Sequence, residues 1–167
     1  MSAVPVTARW HTPDGPSLTD EQLFEWIGSN KENLWGGHEL IVGADSHAHR
    51  REYKFIQVVC IYKKGRGGVY YYTSTWEPRS KFKGPYNAKV KARLFHEVGL
   101  SVELATLLES ATGFKPVVHI DASPTGTKEL TSTFCDQLKG YVQAFGFEAY
   151  EKPWSFCSSG IANRHSK

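Results

Sequence analysis

The chain has 167 residues, 40% of them hydrophobic and 22% charged, which is the size and balance of one globular domain able to bury a core without disulfide or metal staples. No apolar run approaches the ~20 residues that a membrane span requires. The opening MSAVPVTARWHTPDG has no signal-peptide apolar core, so the expected location is the cytoplasm. A net charge of +3 does not by itself demand a polyanionic partner, and three separated cysteines, Cys60, Cys135 and Cys157, fit reduced, buried thiols rather than a disulfide frame or a cysteine zinc site.

Taken in chain order, SLTDEQLFEWIGSN begins with Ser17 and Thr19 as capping residues and carries Leu23, Phe24, Trp26 and Ile27, which predicts a short helix. HELIVGAD predicts an apolar strand ending at Asp45. YKFIQVVCIYKK and VYYYTSTWE, rich in β-branched and aromatic residues, predict two further strands joined by a glycine-containing turn in KKGRGG, so the three form an antiparallel meander. After Pro85 the period changes. Val90, Leu94, Val98, Val102, Ala105 and Leu108 recur at helical spacing from Tyr86 to Ser110, and Gly113 is a helix stop. PVVHID (116–121) predicts a short strand that again ends in an acid. TKELTSTFCDQLKGYVQAFG (127–146) predicts an amphipathic helix closed by Gly146, FEAYEKP (147–153) a last strand, and SSGIANRHSK a terminal helix capped by Ser158 or Ser159.

Three antiparallel strands, helix, strand, helix, strand and helix describe an α/β fold: a mixed five-stranded sheet, its later strands parallel, with helices on both faces. That order is the one of the ribonuclease H fold. Residues 1–37 read as an N-terminal extension bearing the short helix, and residues 38–167 as the ribonuclease H-like domain.

Two strands end in acids, Asp45 and Asp121, and ligand sites of open α/β sheets gather at the carboxyl ends of strands. If those strands are neighbours, the two carboxylates share one edge, and burying like charges side by side is costly unless a cation neutralises them. A hard divalent ion with oxygen ligands, Mg²⁺ or Mn²⁺, is the natural one. The intervening helix offers Glu97 and Glu103, which at 100° per residue lie about 120° apart and cannot both face one site. Glu97 sits among Leu94, Phe95 and Val98 and is the favoured third acid, with Glu103 in reserve. Such a set suits two-metal hydrolysis of a phosphodiester. YKKGRGG and EPRSKFKGPYNAKVKARLFHE interleave basic and aromatic residues. They make Lys81, Lys83, Lys89, Lys91 and Arg93 candidate contacts to a nucleic-acid backbone, although a solvated helix face reads the same way.

The stretches GADSHAHRREYKFIQVVCIY, EPR, LFHEVGLSVELATLL, HIDASPTGTKEL and GFEAYEKPWSFCSSGIANRHSK resemble the YkuK-like family of ribonuclease H-like proteins, from about His38 to Lys167. The resemblance implies that Asp45, Glu97 and Asp121 bind metal, and that Ser46, His49 and Arg51 adjoin the site, Arg51 with the nucleic acid. Where the family tends to carry an Ala-Asp-Arg-like segment in its terminal helix, this chain has Asn163, which keeps a carbonyl oxygen but adds no charge. His165 becomes a candidate for steering product or water.

The expected function is therefore a metal-dependent nuclease acting on RNA, DNA or an RNA–DNA hybrid. The alternative is a catalytically weakened relative that binds nucleic acid or protein. A zinc hydrolase built on His47, His49, His96 and His119 is disfavoured, because the chain is too short for the (β/α)₈ barrel such sites use and HEVGL lacks the second histidine of H-E-x-x-H. His119, in mid-strand, is better explained as a hydrogen-bonded core histidine.

Overall fold

The computed structural model describes residues 9–123 and 130–167. Its centre is a mixed five-stranded sheet of order β3-β2-β1-β4-β5. The strands are β1 (Glu39–Ala48), β2 (Glu52–Lys63), β3 (Gly67–Pro78), β4 (Val117–His119) and β5 (Ala149–Tyr150). β1, β2 and β3 pair antiparallel, whereas β4 runs parallel to β1 and to β5. Both β1 and β2 are covered on both faces, so residues Leu40–Ser46 and Phe55–Ile61 are buried without interruption, the pattern of interior strands. Edge strand β3 alternates instead. Its outer side is partly closed by His11, which exchanges backbone hydrogen bonds of 2.8 Å with Tyr72, a common way to blunt an edge.

One face of the sheet packs against α1 (Asp20–Ser29), α3 (Tyr86–Thr112) and α4 (Cys135–Ala144), with a short α2 (Lys31–Trp35) leading into β1. Helix α1 begins with a capping box: Thr19 Oγ1 accepts from Gln22 N, and Gln22 Oε1 accepts from Thr19 N. Trp10 is completely buried with Leu23 and Ile27 in the same core, and its indole N–H donates to Asp20 at 2.8 Å. Helix α3, about 40 Å long at 1.5 Å per residue, buries Leu94, Val98, Val102, Leu104, Ala105 and Leu108 along one stripe. It ends where Gly113, at φ +80°, turns left-handed and its N–H bonds Glu109. No described helix is long and apolar enough to cross a membrane.

The opposite face is covered by the C-terminal segment, a π-type turn (Cys157–Ala162) continuing into α5 (Asn163–Ser166). Cys157 and Ala162 pack onto Ile41, Ile56, Val58 and Cys60. All three cysteines are free and buried, and burial pushes the Cys60 thiol up to about 12.

Several boundaries differ from the sequence expectation. β1 continues through Ala48 rather than stopping at Asp45, because β2 keeps pairing with it: Asp45 lies opposite Ile56 and Ala48 opposite Tyr53. β5 has two residues, not seven. The terminal helix starts at Cys157 without a side-chain cap; the hydroxyls of Ser158 and Ser159 point back and donate to the Ser155 carbonyl. The predicted helix 127–146 begins outside the described residues, which show a tight turn (Leu130–Phe134) and then α4.

Gly43 is the point of closest approach between β1 and the C-terminal segment. A Cβ there would lie 2.8 Å from Ser158 N and 3.0 Å from Cys157 C, both backbone atoms. Gly43→Ala is expected to cost about 1–3 kcal/mol in urea unfolding, the usual range for overpacking. Gly28→Ala on α1, where nothing lies within 4 Å, should be neutral or stabilise by up to about 1 kcal/mol.

Candidate metal centre

The parallel register that sets Gly43 beside His119 brings residues 45 and 121 level, two residues further along. There β4 has already ended and β1 has not. The missing strand neighbour leaves a notch at the side of β1, and Asp121 turns into it from the end of β4. Glu97 enters from α3. One carboxylate oxygen from each of Asp45, Glu97 and Asp121 lies within 4.8 Å of the others. Asp45 and Glu97 are each only 6% exposed, and Asp121 is half-buried.

Each acid has a polar neighbour that fixes it. The Ser46 hydroxyl donates to Glu97 Oε2 and accepts from Arg93 Nη2 at 3.0 Å. Arg93, one turn before Glu97 on α3, lays its guanidinium over the Tyr53 ring at 4.2 Å. The fully buried Ser166 donates its hydroxyl to Asp45 Oδ2 at 3.2 Å, and Lys152 Nζ lies 3.1 Å from Asp121 Oδ1. Burial, the Asp121 charge and a hydrogen bond with Asp121 raise Asp45 to about 7, against the opposing pull of the Ser46 amide and Ser166. Burial first, then the charge on Asp45, holds Glu97 well above its ordinary value, with Arg93 acting weakly the other way. Ser46 and Ser166, which oppose the rise, are both neutral groups.

Crowded, desolvated oxygens with too little positive charge around them are what a hard divalent ion relieves. Asp45, Glu97 and Asp121 therefore fit Mg²⁺ or Mn²⁺ by donor type and spacing. No histidine belongs to the group. His119 is buried, its Nδ1 accepts from the Cys157 amide at 3.1 Å, and burial lowers it to about 4, so it is a neutral core residue. His96 packs against Phe55 and Phe82.

The other sequence candidates scatter around this notch. Glu103 is exposed and outside the acid group; the six-residue offset has turned it to solvent. Asn163 is half-buried, and its backbone carbonyl, 3.1 Å from Ser166 Oγ, is the alternative acceptor for the one hydroxyl proton that Ser166 can give to Asp45. His165 stacks on Tyr72 at 3.8 Å and meets Tyr70 Oη at 2.9 Å, so its ring is occupied by the tyrosines of β3. His47 is exposed, whereas His49 is half-buried with Nε2 3.1 Å from the Ser166 carbonyl. Arg51, Lys83 and Lys89 are exposed. Lys81 pairs with Glu77 at 3.2 Å, and Lys91 lies over Phe95 and Phe134.

Sequence reasoning missed Lys152 and Ser166, and saw Arg93 only as a backbone contact. Lys152 was open to detection, since it follows β5, and the carboxyl ends of β1, β4 and β5 adjoin. Ser166, a lone serine next to the last residue, gave no local signal.

The raised Asp45 value fixes the sign of a pH dependence. Between about 4 and 7 the folded, metal-free protein holds a proton that the unfolded chain has released, so stability falls as pH rises through that window. In EDTA, urea midpoints should decline across it. Asp45→Asn should flatten the decline and be more stable than wild type at pH 8, by on the order of 1.4 kcal/mol per pKa unit relieved.

No curated protein and no solved structure matches the chain. The chain does match a protein family, described as Ribonuclease H-like and corresponding to the YkuK family, over residues 22–167. With that match spanning most of its length and the sheet in the order just described, the chain belongs to the ribonuclease H-like YkuK family.

Proposed function

We propose that the protein is a metal-dependent nuclease that hydrolyses phosphodiester bonds of RNA, DNA or an RNA–DNA hybrid. The observation that carries this reading is the group of three carboxylates within 4.8 Å, two of them almost wholly buried; family membership supports it. Fold alone would not, since one fold hosts many functions.

Asp45, Glu97 and Asp121 would hold the ion, Mg²⁺ or Mn²⁺. Bound there, a divalent cation supplies the positive charge that hydrolysis needs at the attacking and departing oxygens. The chain's own residues prepare the place. Ser46 and Ser166 orient Glu97 and Asp45, Arg93 locks Ser46, and Lys152 holds Asp121 while adding positive charge. With Arg93 and Lys152 already offsetting part of the negative charge of the three carboxylates, a single divalent ion is enough to neutralise the site. Exposed Lys83 and Lys89, with Lys81, Lys91 and Arg51, supply candidate backbone contacts.

A second reading, a catalytically weakened module that binds nucleic acid or protein, is favoured by Asn163 in the terminal helix and by the Lys152 ammonium on Asp121. One experiment separates the two. Wild type and Asp45→Asn are incubated with labelled single-stranded RNA, single-stranded DNA and a hybrid in Mg²⁺, Mn²⁺ or EDTA. Metal-dependent cleavage by wild type, reduced at least about 100-fold in Asp45→Asn, is the expected result; a drop of that size is about 2.7 kcal/mol of barrier. Saturating Mn²⁺ should also raise the wild-type melting temperature, by an amount set by RT ln(1 + [L]/Kd). Equal cleavage by the variant would overturn the mechanism centred on Asp45, and absent cleavage with nucleic-acid binding retained would select the second reading.

A further inference from the structure

The strand register places a second feature on the face of the sheet that carries Asp45. Cross-strand partners put Asp45, Ile56 and Ser74 in one row and His47, Lys54 and Trp76 in the next. Rows are two residues apart, about 6.7 Å, and strands about 4.8 Å apart, so the Trp76 backbone lies roughly 12 Å from that of Asp45. The C-terminal segment covers the inner rows: His165 occupies both Tyr70 and Tyr72. It does not cover the outer row, where Trp76 is 46% exposed and His47 is exposed.

That row is built rather than incidental. His49 stands edge-on to Trp76 at 4.9 Å and to His47 at 5.6 Å, and the Lys54 ammonium lies 5.8 Å from the Trp76 ring. His49 is tied to the Ser166 carbonyl, while the Ser166 hydroxyl holds Asp45, so the aromatic group is two side chains from the acids. Its surroundings are positive. Arg50 and Arg51 form the exposed turn between β1 and β2, and Arg164 and Lys167 are exposed at the C-terminus. Lys54 and Arg164 are both near enough to His165 to depress its basicity after burial has done so. Glu52 sits one row further out, opposite Pro78.

Resting on the nucleic-acid reading above, we propose that Trp76, framed by His47, His49 and Lys54, is a stacking platform for an unpaired base, and that the strand entering the metal centre is single-stranded. An exposed indole beside ammonium and guanidinium groups offers a π-face that every base matches and cations for the adjoining phosphates. A base inside a duplex is already stacked on both sides and cannot use it.

The test is made on the full chain carrying Asp45→Asn, which removes one acid opposing the phosphates and leaves the platform intact. Fluorescence anisotropy is read with a short labelled oligouridylate and with an RNA duplex of the same length. Adding Trp76→Ala should weaken oligouridylate binding on the order of tenfold and leave duplex binding unchanged, whereas Trp76→Phe should restore most of the affinity. Unchanged single-strand affinity in Trp76→Ala overturns the platform, as does equal loss for strand and duplex or failure of the oligouridylate to bind at all. Because the readout is binding by a protein lacking Asp45, its failure is distinct from failure of the nuclease reading, which the cleavage assay judges separately.

Discussion

Three carboxylates held in a notch from which water is largely excluded are the constraint that organises this molecule. Ionised together without a counter-charge they would repel one another in a medium that screens poorly. The notch exists because β1 outruns β4: the sheet loses a strand on one side while β2 continues to hold the other. Beyond the end of β4, the open side of β1 leaves room for carboxylates from neighbouring elements to meet, while β2 keeps the strand paired. Asp45 uses that room, and Ser46, Arg93, Lys152 and Ser166 are arranged so that each carboxylate keeps at least one partner.

The site also draws on both faces of the sheet. Glu97 comes from the long α3 on one face and Ser166 from α5 on the other, and they reach β1 across 51 and 121 residues of chain. Neither contact forms locally. Both require the finished topology, and the second requires Gly43, whose missing side chain lets the C-terminal segment lie directly on β1. The acid group is thus as much a test of correct folding as a consequence of it, since displacing either layer separates its members.

Much of the architecture was legible in the chain because it is written in periodicity. The change of period after Pro85, the stop at Gly113 and the glycine turn after Lys63 give element order, and order gives the sheet. Glu97 was separable from Glu103 because one interrupts an apolar stripe and the other does not. What stayed hidden was set by partners rather than by local pattern. Asp-Ser-His-Ala looks like the end of a strand until β2 is seen to continue beside it. β5 keeps only Ala149 and Tyr150 because β4, its neighbour, is itself three residues long. Ser158 and Ser159 carry the composition of a helix cap but lie inside the turn they were expected to begin. Ser166 and Lys152 are single polar residues whose meaning comes entirely from what lies opposite.

The charge distribution explains why an ion would matter for more than chemistry. Exposed lysines stand at the start of α3, the helix that carries Glu97, and exposed Arg50 and Arg51 follow β1, the strand that carries Asp45. The bare acids form a negative centre. A phosphate backbone approaching the protein is drawn in by the cations and turned away at the centre, where low dielectric strengthens the repulsion. Neutralising the centre would remove that repulsion. On the proposed reading the carboxylates would act as a gate: bare, they would keep polyanions away from the acid group, and with a divalent ion bound they would become the point at which a strand is held.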